Sequence, residues 1–324
     1  MAERFLITGV NGFVGRHLSR ALLARGAEVH GTAFAPGDDP LAGTGLDGVT
    51  VHAVDVRVQS EVDAVVSAVE PNGVFHLAGV AFVPDAQANP TLAFDINAIG
   101  TIRVLAAIHY RCPTARVVSV GSSEIYGLIH PSDLPVDESV ALHPLSPYAA
   151  SKAAADLAAY QWAEGVGVHV VRARPFNHTG PGQRAVFVCP DFATQLARIE
   201  LGEIEPRIEV GDLDVVRDFS DVRDVVDAYI ALYDRGETGE AYNICSGVGR
   251  TIRRVLDDLI ALSGVDVEIS VDPAKLRPRR VPAFVGSSAK LQQRTGWHPR
   301  CDWQDTLRGV LADCRHRVSA IRQH

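Results

Sequence analysis

Through roughly the first 175 residues, short apolar runs alternate with stretches whose apolar positions recur every three or four residues. That alternation is the rhythm of strand and helix in βαβ units, which build a parallel sheet covered on both faces. It predicts strands over 4–8, 28–33, 49–54, 73–77, 116–120 and 168–173. Helices are expected between them, among them 15–25, closed by Gly26, and 60–69, stopped before Pro71. Past Pro175 the pattern changes. Gly180-Pro181-Gly182 breaks the chain, the helices are expected to shorten, and Pro273, Pro278, Pro282 and Pro299 punctuate the end. A helix over 221–233 and an apolar strand over 241–245 read as a return to the first unit. The expected fold is α/β, a doubly wound parallel sheet with a smaller α/β domain. Residues 1–174 plus about 214–245 form the larger domain, and about 175–213 plus 246–324 the smaller one.

Composition narrows the class. A chain of 324 residues, 47% of them hydrophobic, has material for one large or two modest domains at about 150 residues each. The formal charge of −8 disfavours a nucleic-acid or anionic-membrane partner, so an anionic ligand must be met by local groups. Cys112, Cys189, Cys245, Cys301 and Cys314 are odd in number and lack CxxC or zinc spacing, so neither a disulfide framework nor a metal site is expected. A reducing cytoplasm is the expected location. The N-terminus carries no long apolar segment, and no later run approaches about 18 uninterrupted apolar residues, so no membrane partner is expected.

The first strand runs into Gly9-Val10-Asn11-Gly12-Phe13-Val14-Gly15 and then a helix. Glycines there let backbone N–H groups approach phosphate oxygens at a helix N-terminus, which favours a dinucleotide. The spacing is Gly-x2-Gly-x2-Gly, not the commoner Gly-x-Gly-x2-Gly. At the end of the second strand, where an NAD site usually places an acid on the ribose, stand Ala33, Phe34 and Ala35; Asp38 and Asp39 come only later. The missing acid leans toward NADP(H) over NAD(H), with Arg16 or a neighbouring arginine receiving the 2′-phosphate. Asp55 is placed to accept from the adenine amino group, with Val56 offering backbone atoms beside it. Leu77, Ala78 and Gly79 end the fourth strand with room for the cofactor. His76 reads as a satisfied strand-end histidine.

The sharpest constellation is Ser122 after the fifth strand, followed by Tyr148-Ala149-Ala150-Ser151-Lys152 in a helix starting near Pro147. Tyr148 and Lys152 are i and i+4 neighbours on one helical face. A phenol with an ordinary pKa of about 10 becomes a useful proton carrier near neutral pH beside an ammonium, which stabilises its phenolate. Lysine is rare here, only Lys152, Lys275 and Lys290, so chance yields a Tyr-x3-Lys pair with a frequency of about 0.06. Ser122 is placed to hold the reacting oxygen, and Lys152 also to bind the nicotinamide ribose.

Thr8-Gly9-x2-Gly12-x2-Gly15, Asp55-Val56, His76-Leu77-Ala78-Gly79, Ser122 and Tyr148-x3-Lys152 resemble the extended short-chain dehydrogenase/reductase (SDR) family over nearly the whole chain. The segments 174–183, 216–224 and 242–247 resemble its sugar-nucleotide branch, nearest the reductases of GDP-4-keto-6-deoxy-mannose and then the GDP-mannose 4,6-dehydratases. The resemblance implies a Rossmann domain with a smaller substrate-binding domain and a GDP-linked sugar substrate. It further implies a homodimer formed by the helix around 95–109 and the one carrying Tyr148. Phe176 and His178 would line the nicotinamide, Asn177 would touch the hexose or phosphate, and Arg217 the diphosphate. Arg184 and Arg277 are further phosphate candidates. Without the family match, Arg217-Asp218 equally reads as a surface ion pair.

Ser123 stands where dTDP-glucose dehydratases carry an aspartic acid and is a substrate-side candidate. Glu124 matches a dehydratase glutamate that removes the C5 proton; in the reductases it would accept from a sugar hydroxyl. A solvated loop carboxylate is the third reading of it. The expected activity is NAD(P)H-dependent reduction of the C4 ketone of a nucleotide-linked 4-keto-6-deoxyhexose. The alternatives are a 4,6-dehydratase, a sugar-nucleotide epimerase and a non-catalytic cofactor-sensing module.

Overall fold

The computed structural model describes residues 2–34, 41, 43–276 and 281–321. Seven parallel strands form its central sheet. These are β1 (Arg4–Thr8), β2 (Glu28–Ala33), β3 (Val49–Ala53), β4 (Gly73–His76), β5 (Arg116–Val120), β6 (Val170–Pro175) and, reached late in the chain, β10 (Ala241–Ile244). Their order is β10-β6-β5-β4-β1-β2-β3. Strand residues face alternate sides of a sheet, and each side here has its own core. Phe5 and Ile7 pack with Leu18, Leu22, Val225 and Leu232, whereas Leu6 packs with Val66, Val104, Leu105 and Ile108. The first face is covered by α1 (Phe13–Ala24) and α8 (Val222–Arg235), the second by α2 (Gln59–Val69), α5 (Gly100–Arg111) and α6 (Pro147–Gln161). Two short helices, α3 (Val83–Ala88) and α4 (Pro90–Phe94), lead through a π-helical turn, Asp95–Ile99, into α5. The run Pro90–Arg111 is long and apolar enough to cross a membrane, yet half of it is buried within the fold, as in a core helix.

The rest of the chain builds a second layer. β9 (Val216–Asp221) pairs parallel with β7 (Asn177–Thr179) and β13 (Ala283–Phe284) and antiparallel with β11 (Gly249–Thr251). β8 (Arg207–Val210) pairs with β12 (Glu268–Val271). Over them, α7 (Val188–Glu200), α9 (Ile252–Ser263) and α11 (Trp303–Ile321) enclose a core of Phe192, Leu196, Val255, Leu259, Leu307 and Leu311. The expected shortening of helices beyond 175 is overturned, since α11, at 19 residues, is the longest among the described residues. Its apolar positions are interrupted by six charged or histidine side chains, which hid its length from the pattern. The last short helix, α10 (Ala289–Thr295), returns to α8, where the Trp297 indole N–H donates to the Asp224 carbonyl at 3.0 Å.

Two features of this frame set the site. β1 lies between β4 and β2, so the strand order reverses beside β1, and the crevice outside the C-terminal ends of β1 and β4 is where such sheets bind ligands. On the other side, the Ser146 side chain caps α6, accepting from the Ala149 N–H at 3.1 Å, and Pro147 occupies its first turn. That start point puts Tyr148 and Lys152 one turn apart at the end of the helix nearest the crevice.

Candidate active site

A cleft of about 1470 Å³ opens at this crevice and runs between the two layers. Its inner wall is the glycine loop. Gly9 has φ +72°, and a Cβ there would meet the Ala78 backbone at 3.0 Å. A Cβ on Gly15 would lie 2.5 Å from the Val10 carbonyl oxygen. The loop therefore needs glycine at both positions. No side chain caps α1, whose N-cap is Gly12, so its first N–H groups remain available to an anion. This cradle fits a dinucleotide pyrophosphate. Asn11, Phe13, Val14, Asp55, Val56, Leu77, Ala78, Gly79, Phe176 and His178 line the same cleft. The His178 ring stacks at 6.1 Å on Phe13, its Nδ1 at 2.9 Å from the Phe176 carbonyl oxygen, and thus ties β7 to the start of α1.

The adenosine end differs from the simple expectation. Arg57 grips the Asp55 carboxylate through Nε at 2.9 Å to both oxygens and Nη2 at 2.6 Å, holding its pKa below the usual range. The Arg57 guanidinium also sits 5.3 Å from the centre of the Phe34 ring. An amino group reaching Asp55 therefore meets an ion pair. Arg16 is not among the described lining residues; its Nε points back to the Gly12 carbonyl at 3.4 Å. Arg57 is the arginine that borders this end. Asp38 and Asp39 lie outside the described residues.

At the centre of the cleft Ser122, Ser123, Glu124, Tyr148 and Lys152 come together. The Ser122 hydroxyl lies beside the Tyr148 phenol and acts to lower its pKa, and Ser122 Oγ accepts from the Glu124 N–H at 3.2 Å. Burial pushes the Tyr148 phenol up to about 12, against the lowering expected from the nearby ammonium. Desolvation outweighs that attraction because Lys152 Nζ is turned to the Val120 carbonyl at 3.0 Å and is itself lowered to about 8 by burial. At neutral pH the phenol therefore keeps its proton.

Asn97 carries no sequence signal of its own. The π-helical turn brings it under the site, where Oδ1 accepts from the Val80 N–H at 2.8 Å and Nδ2 donates to Ser151 Oγ at 2.9 Å. A Cβ on Gly79 would strike Asn97 Oδ1 at 2.7 Å and approach Lys152 Nζ at 3.2 Å. His76 is buried and neutral, pushed down to about 3, with its ring nitrogens bonded to Thr8 and Thr101 hydroxyls, as a satisfied strand-end residue.

The outer wall carries Asn177 and Arg217. The surface ion pair of Arg217 and Asp218 is excluded, because neighbours on a strand face opposite ways. Asp218 is fully buried and accepts from Ser246, Gly247 and Gly286. Arg217 faces the cleft, with one hydrogen bond to its neighbour's carbonyl at 2.8 Å and the charges of Glu124 and Asp212 nearby. Among the described residues no carboxylate lies within ion-pairing distance of it, which suits an anion. Arg184 is exposed and outside the described lining, and Arg277 lies outside the described residues.

A doubly wound sheet, a glycine cradle at its reversal point and a Ser-Tyr-Lys set beside it define an extended SDR oxidoreductase. The GDP-mannose 4,6 dehydratase family profile matches residues 6–310, and the chain belongs to that family. It is 38% identical to the GDP-6-deoxy-D-mannose reductase of Pseudomonas aeruginosa, over 98% of this chain and 99% of that protein. Among solved structures it resembles RMD of Pseudomonas aeruginosa complexed with NADPH, at 35% identity and TM-score 0.84, covering 98% of this chain and 100% of the other. It also resembles Thermus thermophilus UDP-glucose 4-epimerase in complex with NAD, at 30% identity and TM-score 0.84, covering 96% and 99%.

Proposed function

We propose that this protein reduces the C4 ketone of a GDP-linked 4-keto-6-deoxyhexose with a reduced nicotinamide cofactor. The observation that carries this reading is the buried Tyr148 beside Ser122 and one helical turn from Lys152, in a cleft shared with the glycine cradle. When bound, the cofactor supplies the hydride to C4. Tyr148 then gives its proton to the C4 oxygen, and Ser122 holds that oxygen while charge develops on it. A phenol pushed up to about 12 holds its proton at neutral pH and is still acidic enough to pass it to the more basic C4 alkoxide. Lys152 anchors the cofactor ribose. Arg217 takes the diphosphate, with Asn177 and Ser123 on the sugar side, and Glu124 accepts from a sugar hydroxyl. Arg184 and Arg277 are secondary phosphate candidates. Residues 1–174 with about 214–245 hold the cofactor, and about 175–213 with 246–324 the sugar nucleotide.

NADP(H) is preferred over NAD(H) in this reading. Supporting it are Arg57 on the cleft wall, an aromatic Phe34 where an acid would repel a 2′-phosphate, and the NADPH complex of a relative. Arg57→Gln is expected to reduce the ratio of kcat/KM for NADPH over NADH; an unchanged ratio removes Arg57 from that role. Five unpaired thiols support a cytoplasmic location. The second reading, a 4,6-dehydratase, is kept alive by the family profile and by Glu124 on the cleft wall.

The two differ in how the cofactor is used. A dehydratase returns the hydride within one turnover, whereas a reductase consumes one cofactor per substrate. GDP-mannose alone is expected to yield no 4-keto product, and a GDP-4-keto-6-deoxyhexose should oxidise NADPH one for one. Keto-sugar formation from GDP-mannose, abolished by Glu124→Gln, would establish the dehydratase instead.

A further inference from the structure

The outer wall of the cleft carries a pair of opposite charges that the reaction leaves unused. Asp191 sits in the first turn of α7, and Lys275 in the short turn Pro273–Lys275 after β12; both line the cleft on the wall that also bears Arg217. Lys275 Nζ donates to Asp191 Oδ2 at 3.2 Å and to the Glu209 carbonyl at 2.9 Å. The turn is held from two sides. Asp272 caps it, accepting from the Ala274 N–H at 2.8 Å, and Gly211 packs so close that a Cβ there would lie 2.8 Å from the Lys275 carbonyl oxygen. The side chains remain 37% and 33% exposed, so the pair adds little to stability and keeps hydrogen-bonding capacity toward the cleft. With Nζ on Oδ2, Asp191 Oδ1 and the second lone pair of Oδ2 are still able to accept.

We infer that Asp191 and Lys275 read the nucleotide base of the substrate as guanine, an inference that rests on the GDP-linked reading above. The Watson–Crick edge of guanine presents in a row the O6 acceptor, the N1–H donor and the N2 amino donor. A carboxylate accepts from the two adjacent donors, and an ammonium beside it donates to O6. Uracil has one donor flanked by two carbonyl oxygens, so the second carboxylate oxygen would face a lone pair. Adenine and cytosine offer an amino donor beside a ring-nitrogen acceptor and likewise leave the carboxylate half satisfied. A site built to bond a donor rejects the analogue that lacks it, because a desolvated acceptor is left unpaired. Asp212 also lines this wall and is the competing carboxylate.

The test is equilibrium binding of GDP, IDP and UDP to the NADPH-loaded protein by calorimetry, with NADPH affinity as the check that each variant is folded. IDP differs from GDP only in lacking the N2 amino group. The wild type is expected to bind GDP at least about tenfold more tightly than IDP or UDP. Asp191→Asn should weaken GDP by a similar factor and leave IDP within about twofold, collapsing the ratio between them. Lys275→Met should weaken GDP and IDP alike, since both keep O6. A GDP to IDP ratio that survives Asp191→Asn, or is lost in Asp212→Asn instead, overturns the assignment while leaving the GDP reading intact. A wild type that binds UDP as tightly as GDP overturns the GDP reading itself.

Discussion

Tyr148 and Lys152 were legible because their chemistry is local: one helical turn separates them, and lysine is scarce in this chain. Their protonation was not legible, since burial belongs to the folded molecule and moved the phenol opposite to the expectation from charge alone. Asn97 and Arg57 escaped for a related reason. Each acts through partners set by tertiary packing or a turn, Val80 and Ser151 for the one, Asp55 and Phe34 for the other. Tyr148→Phe is expected to keep the fold and cofactor affinity and to lose at least about 10²-fold in turnover, the scale of positioned proton transfer. Near-normal turnover would remove Tyr148 as the proton donor. For Lys152, burial lowers the folded pKa from 10.5 to about 8. Between those values the unfolded chain holds a proton that the native protein lacks, so this residue adds stability as pH rises through that window. Cofactor binding runs the other way, because the ammonium is lost over the same range. The NADPH dissociation constant should weaken above about pH 8 in the wild type, and this dependence should disappear in Lys152→Met.

At the scale of elements, the pattern located the strands of the parallel sheet well, because buried parallel strands read as short apolar runs. The strand expected over 168–173 is Val170–Pro175, shifted because the π-helical turn Trp162–Val166 and a loop occupy the approach. Neither π turn is visible in the sequence, since a one-residue widening of a helix leaves its apolar period almost unchanged. The second layer was read least well. Its strands are two to six residues long and pair across long separations, so little periodicity marks them. The cap of α6 gives a test at this scale. Ser146→Ala removes the bond to the Ala149 N–H and should lower stability by about 1 kcal/mol, measured by denaturant unfolding. Because this cap fixes the helix end that carries Tyr148, turnover should fall more than NADPH affinity. Gly79→Ala is expected to be more severe. Its Cβ would press on Asn97 and Lys152, and overpacking of this kind costs about 1–3 kcal/mol. An unfolding midpoint and NADPH affinity equal to wild type would show that Asn97 has room to give way.

For the whole molecule, the open question is what covers the outer faces of the helices around the site. The segment from α4 to α5 and helix α6 pack side by side, sharing Ala93 and Tyr148 in one small core and Ile108 and Ala159 in another. Their outward positions include Phe94, Ile99, Leu157 and Tyr160, with exposures of 38%, 41%, 57% and 48%. Scattered exposed apolar residues are ordinary on a protein surface, so exposure alone decides nothing. Here they lie on the two elements that the SDR resemblance assigns to a four-helix interface, and a second copy of the chain is the occupant we propose. Static light scattering at micromolar concentration should then give twice the mass of one chain. Leu157→Arg, which places a charge on that face without touching the cleft, should shift the protein toward monomer while NADPH still binds. A wild type that scatters as a monomer excludes the stable homodimer, and a Leu157→Arg protein that remains dimeric moves the interface to another face.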